Sequence, residues 1–231
     1  VKGITKYSKT ILNTNKIVKE LNKIINLATT GRPGPCLIDI PLDIQSKEVE
    51  IPLAYNYNFN SLKTSRKSKI QKTIINKILK SKKPLFLIGH GVKSSKSVDI
   101  ARELIKYSKI PVCVTWPMMD LLSFEDDLYV GRPGVVAKRN ANITIQNCDL
   151  LISIGARLDR IVTAFNPNRF AKNAEIFCID IDDNELIKHP KHYKKIKYDA
   201  GLFINDLLKN LKEIKYKNYN KSWLNFCKKL K

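Results

Sequence analysis

The sequence lacks any segment that could cross a membrane, since no apolar run approaches the ~20 residues that a transmembrane helix needs. It begins with Val1, and no charged, apolar and small-residue pattern of a signal peptide follows. We therefore expect a soluble protein with no membrane partner, and a chain that is part of something longer.

Metal-type spacing of ligands is also missing. The five cysteines include no Cys-x-x-Cys pair, and the three histidines have no metal-type spacing with them. Cys36, Cys113 and Cys178 lie inside apolar runs, where free cysteine behaves as a small core residue. Reduced buried thiols are typical of the cytoplasm. We therefore predict a cytoplasmic protein with no metal ligands in this segment.

The common catalytic motifs are absent as well. The sequence contains no Gly-rich Lys-Ser/Thr phosphate loop and no Gly-x-Ser-x-Gly elbow. No acid, base and nucleophile converge in a short stretch. We therefore predict no catalytic residue in this chain.

Positive charge, by contrast, is abundant. Lys and Arg number 42 against 21 acidic residues, which gives a net charge of +21. Most of the basic residues are lysines scattered over presumed helix surfaces, whereas nucleic-acid binders usually concentrate Arg and Lys on one face with aromatics between them. This distribution favours a solvated basic surface over a nucleic-acid partner, and it should attract small anions.

The first part of the chain looks like the end of an α/β domain. Apolar residues at helical spacing predict a helix over residues 13–30, with Asn13 or Thr14 as N-cap and Gly31 as the stop. A rigid Pro-rich turn and a strand over 36–40 follow. From 47 to 68 the periodicity is lost, which predicts a linker and a domain boundary.

The next part alternates regularly between strands and helices. Strands are predicted at 84–88, 111–115, 150–154, 175–181 and near 194–198, and helices at 69–81, 94–108, 135–146 and 200–212. Residues 116–131 read as an irregular segment, and 214–231 as a second linker. Such alternation predicts right-handed crossovers and a parallel sheet covered on both faces.

Three polar or glycine-rich stretches follow the predicted strands, at the edge where open parallel sheets bind ligands. Gly89-His90-Gly91 could hold a diphosphate, but Ser94 replaces the third glycine of a dinucleotide motif, so an ordinary turn fits equally well. Arg157 and Arg160 suit a phosphate, or are surface arginines. Asp180 could meet ribose hydroxyls, although acids at a turn are common.

Six segments in order resemble one family, the thiamine-diphosphate enzymes of the acetolactate synthase type. GRPGPCLIDIPLDIQ (31–45) is similar to the segment that closes their pyrimidine-binding domain. The strands of their central domain are matched by KKPLFLIGHG (82–91), IPVCVTW (110–116), YVGRPG (129–134), NCDLLISIGARLDRIVT (147–163) and EIFCIDIDDNELIK (175–188).

This resemblance implies an α/β fold in which a doubly wound, mainly parallel six-stranded sheet carries helices on both faces (a Rossmann-like central domain). It implies a pyrimidine-domain piece at 1–46, a linker at 47–68, the central domain at 69–213 and a linker at 214–231 toward a diphosphate-binding domain. The activating glutamate and the Gly-Asp-Gly and Asn that hold Mg²⁺ and thiamine diphosphate would lie outside the chain.

In the acetolactate synthase branch the central domain holds FAD, which serves no redox step. By position, the resemblance implies FAD or ADP contacts at Arg32, Gly89, His90, Gly91, Thr115, Trp116, Gly131, Arg132, Arg157, Asp180, Ile181, Asp199 and Ala200. It also implies a small 2-oxo acid substrate, a homodimer or homotetramer at full length, and a fragment that is inactive alone.

Some positions depart from the family pattern. Gly131-Arg132-Pro133-Gly134 stands where the family often reads Gly-Met-His-Gly, and Arg160 is out of register with the second flavin-side arginine. Thr163 and Asn166-Pro167 also resemble related proteins of surface-polysaccharide pathways. Two other classes stay open: a free-standing dinucleotide-binding oxidoreductase domain, and a basic nucleic-acid-binding module whose affinity would fall steeply with salt.

Overall fold

The computed structural model describes residues 1–51, 68–218 and 220–231, which form two compact units, Val1–Ser65 and Arg66–Lys231. Of the linker predicted at 47–68, residues 52–67 lie outside the described residues. No helix in these described ranges is long and apolar enough to cross a membrane.

The first unit is a small strand-helix-strand piece. Strand β1 (Tyr7–Thr10) precedes helix α1 (Ile17–Thr29), and strand β2 (Cys36–Asp39) pairs with β1 in parallel before the short helix α2 (Leu42–Gln45). Asn13 caps a helical turn ahead of α1, since its Oδ1 accepts a hydrogen bond from the Asn15 N–H at 3.0 Å. The sequence did not predict β1, because Tyr-Ser-Lys-Thr is short and polar; its pairing with β2 makes it a strand.

The second unit contains a six-stranded, fully parallel sheet. Its strands are β3 (Pro84–Ile88), β4 (Val112–Val114), β5 (Tyr129–Gly131), β6 (Leu150–Ile154), β7 (Glu175–Asp180) and β8 (Lys194–Lys197). Their order across the sheet is β5-β4-β3-β6-β7-β8. β3 and β6 are buried along their whole length, as expected of central parallel strands. The predicted α/β class and six-stranded parallel sheet are confirmed.

Helices cover both faces of this sheet. They are α3 (Ser68–Lys80), α4 (Gly91–Ser94), α5 (Val98–Ser108), α6 (Arg139–Asn147), α7 (Asp183–Ile187), α8 (Ala200–Glu213) and α9 (Lys221–Lys229). One core cluster joins the sheet to α3, α5 and α8 through residues such as Ile74, Leu104 and Phe203. A second joins the opposite face to α6 and α9 through Ile145 and Trp223. The molecule is therefore doubly wound.

In the second unit the structure differs from the prediction made from periodicity in three helices and one strand. β5 lies inside the segment 116–131 that periodicity presents as irregular, because three residues are too few for a periodic signal, although the family resemblance matches a strand at YVGRPG (129–134). The predicted helix from 94 or 95 is divided: α4 follows β3 directly, and Lys96 takes a left-handed φ of +54° before α5 begins. The helix predicted from 135 begins at Arg139, because the Val135 N–H bonds to the Ile161 carbonyl instead.

The fourth difference concerns the C-terminal residues. The sequence predicts a linker over 214–231, but helix α9 stands there, with Trp223 and Cys227 buried in the second core cluster. The Trp223 Nε1–H donates to the Pro84 carbonyl at 2.9 Å, at the start of β3. The high Lys and Asn content of this segment hides its apolar positions, Trp223, Leu224 and Cys227, which lie at i, i+1 and i+4.

The strand order reverses direction between two central strands. From the adjacent central strands β3 and β6 the chain departs in opposite directions across the sheet, β3 toward β4 and β6 toward β7. In open parallel sheets ligands bind beyond the carboxyl ends of the strands at such a reversal. The carboxyl edge near β3 and β6 is therefore the place to look for function.

Candidate functional site

The parallel sheet brings the predicted residues of the second unit to one edge. Twelve of them follow the carboxyl ends of the six strands: Gly89, His90 and Gly91 after β3, Thr115 and Trp116 after β4, Gly131 and Arg132 at β5, Arg157 after β6, Asp180 and Ile181 at β7, and Asp199 and Ala200 after β8. Arg32 belongs to the first unit and lies in the turn before β2. Their roles in binding stay predictions.

The glycine turn after β3 is packed against the loop after β6. The Gly91 N–H donates to the Gly155 carbonyl at 3.0 Å, and the Gly89 N–H to the Ile154 carbonyl at 3.0 Å. A Cβ at Gly89 would lie 2.1 Å from the Ala156 Cα, and one at Gly91 2.8 Å from the Gly155 Cα. The glycines therefore permit contact between two loops, and the Gly91 N–H serves that contact instead of facing an anion.

Arg157 is held by an ion pair. Its Nε donates to the Glu185 Oε2 at 3.0 Å, and the Lys188 Nζ lies 2.9 Å from the Oε1 of the same carboxylate. The side chain of Glu185 is only 8% exposed, while that of Arg157 is 54% exposed. Arg157 also has a left-handed φ of +59°, which is uncommon for a residue with a Cβ. Sequence reasoning missed Glu185, although the Glu-x-x-Lys spacing in EIFCIDIDDNELIK was a usable signal.

A cation and an aromatic ring meet on the β4–β5 side of the edge. The Arg132 guanidinium carbon lies 4.4 Å from the centre of the Trp116 ring, and Trp116 is 43% exposed. The segment after Arg132 is fixed by Asn142, whose Oδ1 accepts from the Gly134 N–H at 2.8 Å while its Nδ2 donates to the Gly134 carbonyl at 2.9 Å. Sequence reasoning missed Asn142, because its partner is eight residues away in an irregular loop.

Acidic residues follow β7 and β8. The Asp180 Oδ1 accepts from the Asp182 N–H at 3.0 Å, and Asp182 in turn caps α7. Asp199 caps α8 by accepting from the Leu202 N–H at 3.0 Å. Asp180 and Asp182 therefore both form turn or cap hydrogen bonds, as acids at a turn commonly do, and Asp199 is a helix cap. A contact of Asp180 with a ribose stays a prediction.

The described ranges contain no cluster of three or more His, Cys, Asp or Glu side chains that could hold a metal ion. The buried cysteines belong to the core: burial raises the pKa of the Cys148, Cys178 and Cys227 thiols to about 12, because a thiolate is poorly solvated there.

Comparison with known proteins identifies the family. The model of the thiamine pyrophosphate enzyme central domain matches residues 71–207, which run from within α3 to within α8 and include all six strands. The chain belongs to the thiamine pyrophosphate enzymes. The resemblance predicted from the sequence is thus confirmed.

Curated relatives extend this assignment along the chain. The acetolactate synthase large subunit of Corynebacterium glutamicum is 32% identical over 99% of this chain and 37% of its own length. The corresponding subunit of Lactococcus lactis is 34% identical over 89% of the chain and 36% of its length. A probable acetolactate synthase large subunit of Methanocaldococcus jannaschii is 33% identical over 99% of this chain and 39% of its own length. The chain therefore spans less than two-fifths of the length of these relatives.

The edge of this thiamine pyrophosphate enzyme central domain suits a nucleotide with a diphosphate. Two arginines face the edge, which matches anionic phosphates, and an exposed indole ring offers a stacking surface. The carboxylate of Asp180 completes a set of cationic, aromatic and anionic groups. These are the residue types that meet a phosphate, an aromatic ring and a ribose in a nucleotide site.

Proposed function

We propose that the chain is part of a thiamine-diphosphate-dependent enzyme of the acetolactate synthase type, a 2-oxo acid decarboxylase and carboligase. The observation that carries this proposal is the family match over all six strands, together with acetolactate synthase relatives that align with 89–99% of the chain. In this reaction a 2-oxo acid loses carbon dioxide, and the remaining carbanion is transferred to an acceptor. The cofactor would supply that chemistry. The residues that hold thiamine diphosphate and Mg²⁺ are outside this chain in the proposal.

The division of the chain is part of this proposal. Residues 1–46 would close the pyrimidine-binding domain, 47–68 would link it to the central domain at 69–213, and 214–231 would lead toward a diphosphate-binding domain. The family match at 71–207 supports the central assignment, and helix α9 lies beyond it. We further propose a cytoplasmic protein that is a homodimer or homotetramer at full length.

The central domain would hold FAD or ADP as a structural ligand. Arg157 would contact the diphosphate, Arg132 and Trp116 would lie against a ring or phosphate, and Asp180 would meet the ribose. FAD, when bound, supplies no redox step in the proposed reaction. The other predicted contacts in the second unit, which include His90, Ile181 and the buried Thr115 and Ala200, would contribute backbone groups and shape.

The enzymatic proposal is tested on the complete polypeptide that contains this segment. With pyruvate, thiamine diphosphate and Mg²⁺ we expect carbon dioxide and a 2-hydroxy-2-alkyl-3-oxo acid, and no product when thiamine diphosphate is left out. The 231-residue chain alone should release none. Hydride transfer from a hydroxy acid to NAD by the complete polypeptide, without carboligation, would favour the oxidoreductase alternative.

The ligand proposal is tested on the 231-residue chain by calorimetric titration with FAD and with ADP. We expect both to bind, and the purified chain to show flavin absorbance. A colourless chain that binds neither would remove the flavin proposal, and would leave the family assignment intact because that assignment does not depend on a bound flavin.

A further inference from the structure

We infer that Glu185 is a positioning residue of the nucleotide site, which holds the cations of Arg157 and Lys188 side by side for the diphosphate of the ligand. This inference rests on the proposed binding of FAD or ADP and adds two residues to it. Neither Glu185 nor Lys188 is among the residues that the family resemblance implied.

The geometry is that of one carboxylate shared by two cations. The Glu185 Oε2 accepts from the Arg157 Nε at 3.0 Å, and the Oε1 from the Lys188 Nζ at 2.9 Å. Because each cation bonds to a different oxygen of the same carboxylate, the two positive groups are close neighbours. Glu185 is on α7, directly after the strand that ends at Asp180, so both cations lie beside the carboxyl edge.

Burial differs sharply among the three side chains. Glu185 is 8% exposed, whereas Arg157 and Lys188 are 54% and 61% exposed. Burying a carboxylate costs desolvation free energy unless the carboxylate is paired with a cation. The two ion pairs of Glu185 offset that cost and are therefore stable. More than half of each cationic side chain is therefore accessible to solvent or to a ligand.

The charge balance also favours an anion. Two cations and one carboxylate leave a formal charge of +1 at this group. The bond to Glu185 uses the Arg157 Nε, and the guanidinium has four further N–H donors on its terminal nitrogens for bidentate contact with a phosphate. Long cationic side chains lose rotamer freedom when they bind, and a carboxylate that orders them beforehand reduces that loss.

The backbone at Arg157 supports a fixed orientation. Arg157 and Leu158 both have left-handed φ values, +59° and +45°, and Leu158 is buried in the second core cluster. Residues with side chains keep such φ values only where surrounding contacts enforce them. The core contact of Leu158 and the ion pair of Arg157 together provide that enforcement.

The test compares ADP affinity in the full chain for Glu185→Gln, Arg157→Ala and the double variant, by calorimetry. Simple electrostatics predicts that Glu185→Gln tightens ADP binding, because a negative charge near the phosphates is removed. A positioning role of Glu185 predicts the opposite, that Glu185→Gln weakens ADP binding. We expect Arg157→Ala to weaken binding by about 10- to 100-fold and Glu185→Gln by about 3- to 10-fold. In the Arg157→Ala background, Glu185→Gln should lose the part of its effect that acts through Arg157 and keep only the part that acts through Lys188.

Three further variants complete the design. Lys188→Met should weaken ADP binding by about 3- to 10-fold. Arg157→Lys keeps the charge but lacks the Nε contact, so it should behave like Arg157→Ala, and it tests the inference even if Glu185→Gln does not fold. Glu103→Gln is the matched control, since Glu103 pairs with Lys212 on the α5–α8 side and its loss should leave ADP affinity unchanged.

The outcomes distinguish failure of this inference from failure of the proposed binding of FAD or ADP. If the unmodified chain binds neither ADP nor FAD, the proposed ligand and this inference both fail. If the unmodified chain binds ADP but Glu185→Gln binds it equally or more tightly, or Arg157→Lys binds it normally, only the inference is overturned. A full effect of Glu185→Gln on ADP affinity in a chain that carries both Arg157→Ala and Lys188→Met would also overturn it, because a residue that acts through these two cations cannot act without them.

Discussion

At the scale of single residues, Gly89 and Gly91 show how one motif can have a structural meaning that its spacing conceals. Gly-x-Gly after a strand predicts close approach of backbone to a ligand. The close approach is real, but its partner is the Gly155-Ala156 backbone of the neighbouring loop. The motif therefore joins the loops after the two central strands at the reversal of the sheet, and the proposed ligand site would be built from side chains around that contact.

We predict that Gly91→Ala lowers the free energy of unfolding by about 1–3 kcal/mol, because the new Cβ must displace backbone atoms. Gly89→Ala should cost more, since its Cβ would lie closer, at 2.1 Å from the Ala156 Cα. Urea unfolding followed by circular dichroism measures both. Gly3→Ala is the control, because no atom lies within 4 Å of the Cβ it would add. Equal stability of all three variants would contradict the loop contact.

The cysteines give a second prediction at this scale. Burial raises the pKa of Cys148, Cys178 and Cys227 to about 12, and that of Cys113 rises for the same reason. Thiols react as thiolates, so at pH ~8 these four should be inert to a disulfide reagent while the chain is folded. Only the half-buried Cys36 should react quickly, with the other four following on denaturation.

The sign of the pH effect on stability follows from the same shifts. The thiols of the unfolded chain ionise near pH 8.5, while the buried thiols stay protonated to about 12. The contribution of these thiols to the free energy of unfolding is therefore complete below pH ~8.5, the pKa of the unfolded chain. It is lost as the pH rises toward the pKa of the thiols in the folded chain. Rapid reaction of all five cysteines in the folded chain would show that the core is not packed as described.

At the scale of elements, helix α9 completes the second face of the sheet. Trp223 is buried there, stacks on Phe226 with ring centres 5.4 Å apart, and donates its indole N–H to the Pro84 carbonyl. The contact joins positions 139 residues apart in the sequence. A segment that composition presents as a linker is thus part of the central core.

We predict that Trp223→Ala lowers the free energy of unfolding by about 3–5 kcal/mol, through lost burial and an unmet carbonyl. Trp223→Phe should cost less, because it keeps an aromatic ring and loses only the hydrogen bond and some area. The control is Phe226→Ala on the same helix; Phe226 is 37% exposed, so its loss should cost about 0.5–1.5 kcal/mol. A Trp223→Ala variant as stable as Phe226→Ala would argue against the packing of α9.

Elements differ in how far the sequence predicted them. β3 and β6 were placed to the residue, since continuous apolar runs bounded by turn residues mark buried parallel strands. The start of α6 was placed four residues early, because Val135 and Val136 fit the helical period while a long-range bond to Ile161 keeps Val135 outside the helix. Local pattern thus fixed the strands, and long-range bonding moved the helix boundary.

At the scale of the whole molecule, the chain carries a net charge of +21. Self-repulsion of that size opposes the compact state. Added salt also weakens surface ion pairs such as Lys93–Asp120, but an exposed pair contributes at most about 1 kcal/mol. Repulsion among many lysines should therefore dominate the response to salt.

We predict that the midpoint of thermal unfolding rises as NaCl is increased from about 0.05 to about 0.5 M, over which screening shortens to a few ångströms. Calorimetry in NaCl and in KCl at equal ionic strength measures the effect and separates screening from a specific cation. A midpoint that falls with salt would mean that ion pairs outweigh repulsion.

Duplex DNA should bind only at low salt and without sequence preference.

The sequence by itself determined the α/β class, the positions of the central strands, the family and the set of residues at the carboxyl edge. The class and the strands follow from local patterns, since a buried strand and the turn that ends it are encoded within a few consecutive residues. The family and the full set of edge residues follow from the resemblance of the ordered motifs. Only the tertiary structure decided that Glu185 holds Arg157 and Lys188, that the glycine turn packs on Gly155, and that α9 covers the sheet. Those contacts join residues distant in the chain, and which partner a side chain meets depends on how strands and helices are ordered in space.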